Sequence, residues 1–97
     1  MPIYVIPAKL IEQGARNIRQ LPQRARENMQ MGERRGMKIH GWYLTQGQYD
    51  VVVVTEAPDD RTAAQQALGV ASPGFVTTET LHAYTLEEAE QIIHGLG

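Results

Sequence analysis

Apolar residues fall in short dense runs separated by longer periodic stretches, and the spacing changes where the elements change. Residues 2–6, Pro2-Ile3-Tyr4-Val5-Ile6, are apolar on both parities and predict a buried strand. Over residues 12–36 the pattern turns helical, with Ile11, Ile18, Ala25, Met29 and Gly32 spaced to share one face. Pro22 has no amide hydrogen to donate and crowds the preceding turn. The stretch therefore predicts a short helix to about Gln20 and a longer one from Pro22, closed by Gly36. Residues 37–45 and 49–57 read as the second and third strands, joined as a hairpin around Gly47. The run Val51-Val52-Val53-Val54 needs cover on both of its faces.

Pro58-Asp59-Asp60 opens a further helix with Asp59 as its N-cap, and Gly69 is its expected end. Its interior residues Ala63, Ala64, Ala67 and Leu68 are mostly small, which lets a helix lie close on a sheet. Residues 75–84 form a threonine-rich fourth strand. Thr85-Leu86-Glu87-Glu88 is a capping box, which predicts a last helix over 86–94 stopped by Gly95.

The order is βαββαβ plus a C-terminal helix, with no internal repeat and no linker, so residues 1–97 read as one domain. The predicted class is α+β with a four-stranded antiparallel sheet of ferredoxin-like topology and strand order 4-1-3-2. Strands one and three, apolar on both parities, are then central. Both crossover helices cover one sheet face, and a second copy is the expected cover for the other.

Charge and composition narrow the function classes. Net charge is −2, there is no cysteine, and no apolar run approaches the length of a bilayer span. No basic, apolar leader opens the chain. The expectations are a cytoplasmic protein without metal or cofactor, and without nucleic-acid or membrane partners. The charge is uneven: residues 1–38 hold eight of the nine cations and three acids, whereas the remainder holds Arg61 against eight acids. A solvated basic helix face that meets acidic patches on its own or a neighbouring protomer is the plain reading.

The segment Gly47-Gln48-Tyr49-Asp50 carries a Gly-x-Tyr-Asp signature, and the chain resembles the small bacterial GYD family named for it. The likeness continues through Glu12-Gln13-Gly14, Asn17-Ile18, Tyr43, Thr45, Val51-Val52, Glu56-Ala57-Pro58-Asp59-Asp60, Thr78-Glu79-Thr80-Leu81 and Ala83-Tyr84-Thr85. It departs at Pro7-Ala8, at Leu44, where a large aromatic is common, and at His82, where a basic residue is usual. The resemblance implies a dimeric α/β barrel, in which two sheets pack face to face, and supplies no catalytic residue.

Candidate chemistry lies on the strands. A three-residue turn at Gln46-Gly47-Gln48 pairs Thr45 with Tyr49 and Lys38 with Glu56, and puts His40, Trp42 and Leu44 on the face of Asp50 and Glu56. A two-residue turn sends them to the opposite face, and the Lys38–Glu56 pairing favours the first register. On strand four, Leu81 and Ala83 suit the helix-covered core, leaving Thr78, Thr80, His82 and Tyr84 for the barrel interior. His40 and His82 then sit on opposite edges, about 14 Å apart, which is too far to share a metal. Asp50, beside a turn, suits hydrogen bonds to backbone amides.

The candidate ligand-binding set is His40, Trp42, Asp50, His82 and Tyr84. The leading functional reading is a homo-oligomer that binds a small molecule in or beside the barrel. The alternatives are a cofactor-independent monooxygenase or isomerase using His40, His82, Tyr84 or Asp50 for proton transfer, and a purely structural assembly protein.

Overall fold

The computed structural model describes residues 1–97. In chain order the elements are β1 (Ile3–Leu10), α1 (Glu12–Arg16), a 3-10 turn (Ile18–Gln20), α2 (Leu21–Arg34), β2 (Lys38–Leu44), β3 (Val51–Glu56), α3 (Asp60–Ala71), β4 (Val76–Thr78), β5 (Leu81–Ala83) and α4 (Leu86–His94). The strands form one antiparallel sheet of order β2-β3-β1-β4, with β5 also paired to β1. This is the expected 4-1-3-2 order, with the fourth strand in two pieces.

Pro7 accounts for the break. β1 runs through it to Leu10, four residues beyond the expected end, because its ladder to β3 is intact from Ile3↔Glu56 to Ala8↔Val51. On the other edge the Pro7 carbonyl accepts the Glu79 amide at 3.0 Å, but Pro7 has no N–H to return the bond. β4 ends at Thr78 and β5 resumes at Leu81 in the same register, as Ala8↔Thr78 and Tyr4↔His82 show.

That register corrects one expectation. Cross-strand partners share a face, so His82 lies on the helix-covered side with Tyr4, and Leu81 and Ala83 lie on the open side with Val5 and Ile3. The parities of the fourth strand are the reverse of those expected, because both sheet faces carry apolar residues and hydrophobicity alone cannot tell them apart.

The β2–β3 hairpin combines the two registers. Lys38 pairs with Glu56 as the three-residue turn required, but a bulge at His40 shifts the ladder by one, to Trp42↔Val53 and Leu44↔Val51. Trp42 and Leu44 therefore share the helix-covered side with Val53 and Val51, a second correction. The signature residues staple the hairpin shut. Gly47 adopts φ +115°, a conformation that favours glycine. The Thr45 hydroxyl donates to the Tyr49 carbonyl at 2.7 Å, and the Asp50 carboxylate accepts the Leu10 amide at 2.8 Å.

The helices follow local chemistry. Pro22 sits in the first turn of α2, and Asp59 caps α3 by accepting the Thr62 amide at 2.8 Å. α3 runs through Gly69 to Ala71, beyond its expected end. A side chain at Gly69 would start 3.1 Å from the Met31 methyl, so this glycine serves close helix packing rather than termination. α4 spans Leu86–His94 with both capping-box hydrogen bonds, between Thr85 and Glu88, in place.

The core is Tyr4, Met37, Ala57 and Ala63, with Ile6 and Ile39 packed against it. Tyr4 is 2% exposed and donates its hydroxyl to the Asp60 carboxylate at the start of α3. Burial above all, and then the Asp60 hydrogen bond and charge, raise its pKa from 10.0 to about 12. Because the folded-state value is raised, this contribution to stability is complete below pH 10 and is lost as pH rises toward 12. We expect thermal midpoints read by circular dichroism to fall across that window, and Tyr4→Phe to flatten the fall. At Gly14, an added Cβ would stand 2.0 Å from the Phe75 carbonyl oxygen, which accepts the Ile11 amide at 3.1 Å. Gly14→Ala should therefore cost about 3 kcal/mol in chemical denaturation.

Candidate functional site

α2 and α3 cross the same sheet face, but the side chains they present are short. Ala25 and Gly32 of α2 and Ala63 of α3 are buried, and the next turn of α3 offers Ala67 and Val70. Small residues at these positions leave an apolar cavity of about 360 Å³ between helices and sheet. Its floor includes Ile6, Val51 and Val53, and its walls include Met29, Met37 and Phe75. The volume lies within the range of small-molecule pockets. Trp42 reaches this cavity because the His40 bulge turns it inward.

Thr55, Gln66 and Arg24 of the lining are engaged with the protein itself, whereas the half-buried Asn28 and Thr78 side chains make no hydrogen bond. The Thr55 hydroxyl donates to the Lys38 carbonyl at 2.8 Å. The buried Gln66 amide donates to the Asn28 carbonyl at 2.8 Å and accepts from Arg35 Nε at 3.2 Å. Arg24 stacks over Phe75, 3.9 Å from the ring centroid, and donates to Gln20 Oε1 at 3.0 Å and the Asn17 carbonyl at 3.3 Å. No buried side-chain nitrogen or oxygen lacks a partner.

The other four sequence candidates lie elsewhere. His40 is on the β2 edge, with Nε2 2.5 Å from Glu56 Oε2. His82 stacks on Tyr84 with ring centroids 4.7 Å apart, and its Nδ1 is 3.7 Å from Asp60 Oδ1. Asp50 sits at the hairpin mouth, holding the Leu10 amide. Of the five, only Trp42 lines the cavity. His40–Glu56 and His82–Asp60 are separate pairs at opposite edges of the sheet, and no three His, Cys, Asp or Glu side chains are grouped to hold a metal ion.

A smaller hollow of about 140 Å³ lies beside the signature, lined by Pro7, Lys9, Tyr49, Thr77, Thr78 and Glu79. The Tyr49 hydroxyl contacts both Glu79 carboxylate oxygens at 3.3 Å, and Lys9 stands 5.4 Å above the Tyr49 ring. Partial desolvation first, and then the Glu79 charge and hydrogen bond, raise the Tyr49 pKa.

Sequence reasoning did not single out Arg24, Met29, Gln66 or Phe75 as site residues. They come from α2, α3 and the segment before β4, distant in the chain, and meet only through packing. The one local hint was the small-residue face of α3. No helix is long and apolar enough to cross a membrane.

A curated protein of Thermus thermophilus, the glutamine synthetase and cystathionine beta-lyase binding protein, is 36% identical over 84 residues, covering 86% of this chain and 88% of the relative. No solved structure gives a significant match. The family model for the GYD domain matches residues 4–93, which includes every sheet strand but the first residue of β1 and all but the last residue of α4, and the chain belongs to the GYD family.

Proposed function

We propose that this chain is a self-associating, protein-binding module whose working surface is the open face of its sheet. The observation that carries this reading is that face's composition. Ile3, Val5, Val52, Val54 and Leu81 share it across three strands, none of them is buried, and α2 and α3 lie on the opposite face. Only 12 of 97 residues are buried, and the accessible surface is 6587 Å². A compact monomer of 10.8 kDa exposes about 5,500 Å². The excess of about 1,000 Å² is comparable to what one partner contributes to a standard interface, about 800 Å².

A second copy meeting this face as in a dimeric α/β barrel fits the topology. The name of the Thermus relative fits docking on metabolic enzymes, and we infer the same partner class here, in the cytoplasm. Sedimentation should find the wild type dimeric or larger and Val54→Asp monomeric with unchanged secondary structure. A wild-type monomer at tens of micromolar would sink the reading of the face. In surface plasmon resonance, immobilised protein should retain glutamine synthetase or cystathionine beta-lyase from the same organism. Binding of neither would remove the enzyme partners and leave self-association standing.

The cavity favours a second, compatible role, the binding of a small molecule that tunes docking. A native mass spectrum of gently purified protein should then show extra mass that disappears on denaturation. Ala67→Phe, which fills the cavity, should lack that mass and melt no lower than the wild type.

A further inference from the structure

The walls of the helix–sheet cavity restrict what can enter it. As the ligand site proposed above, the cavity also sets the chemical class that it admits. The volume of about 360 Å³ equals the share of about a dozen waters, and so suits a ligand of about a dozen non-hydrogen atoms. Thr55 and Gln66, the polar groups buried in the lining, are already paired within the protein. Most of the remaining lining is apolar, with half-buried Asn28 and Thr78 as its other polar side chains, so a polar group on most of the ligand's body would lose its water without a partner. The body is therefore mainly hydrocarbon.

One end differs. Arg24 is half-buried in the lining, and no carboxylate of the protein pairs with it. Its guanidinium is held against Phe75 and by two hydrogen bonds, which leaves part of its five-donor fork unspent. A planar fork fixed in this way is preorganised for a carboxylate. The only acid in the lining, Glu27, is exposed and accepts from Gln23 at 3.0 Å. The second cation near the cavity, Arg35, donates its Nε to Gln66 and stands outside the lining.

We propose that the cavity binds a monoanionic amphiphile, a carboxylate on a hydrocarbon body, with the carboxylate at Arg24 and the body running toward Trp42. Hydrophobic burial supplies most of the affinity, and Arg24 supplies the selection for an anionic end.

Trp42 is the only tryptophan of the chain and lines the cavity, so its emission reports occupancy directly. The full-length protein would be titrated with decanoate, 4-phenylbutyrate, 1-decanol and decyltrimethylammonium. We expect a saturable change in Trp42 emission with at least one of the two carboxylates, and at least tenfold weaker binding of the alcohol and the ammonium. The tighter carboxylate identifies the body as aliphatic or aromatic. Arg24→Gln should bring decanoate to the affinity of decanol without changing that of decanol, and Arg24→Lys should recover part of the difference. Ala67→Phe should abolish binding of every probe.

Equal affinity for decanoate and decanol in the wild type overturns the anionic class while leaving the cavity as a ligand site. No change in Trp42 emission with any probe overturns both. The wild-type comparison needs no variant, so a failure of Arg24→Gln to fold does not protect the proposal.

Discussion

One extra residue in the edge strand determines much of what this molecule can do. The bulge at His40 lets Lys38 and His40 stay with Glu56 on the open side while everything beyond turns over. Without it, Trp42 would point away from α2 and α3, and the cavity would lose its aromatic wall. Inserting a residue into a ladder interrupts its hydrogen bonding, and such features persist where they re-aim a side chain. Here the re-aimed side chain is the chain's only tryptophan.

The family signature acts on the same hairpin from its other end. Gly47 supplies a turn conformation, the Tyr49 carbonyl receives Thr45, and Asp50 reaches across to the last amide of β1. Strand β1 ends under this hairpin and feeds α1, whose Gly14 lies against the Phe75 carbonyl. Phe75 in turn carries Arg24. A turn motif with no evident reaction is thus linked, through backbone contacts, to the mouth of the cavity. This favours reading Asp50 as an organiser of the site over reading it as a base within it.

What was legible in the sequence was local. The capping box at Thr85, the Asp59 cap, the Pro22 start and the glycine hairpin each depend on residues within a few positions, and the structure has them all. The strand order came with the βαββαβ topology and agreed with parity, since only the central strands are apolar on both sides. The rest depends on long-range register. Whether His82 or Leu81 faces the helices is decided by pairing with β1, about 78 residues away in sequence, and both choices place apolar groups on an acceptable face. The cavity was hidden for a related reason. It is a deficit of volume between elements, and no single residue encodes a deficit.

Pro7 has an effect beyond its own strand. The sheet's outer edge on that side consists of two three-residue pieces with a gap at Glu79 and Thr80. An intact edge would present a continuous row of unpaired backbone groups, a template on which another chain could add itself without limit. The interrupted edge offers no such row. Growth by strand addition is therefore discouraged along this edge. In this way a residue that weakens one ladder in the folded protomer also removes a template for uncontrolled strand addition.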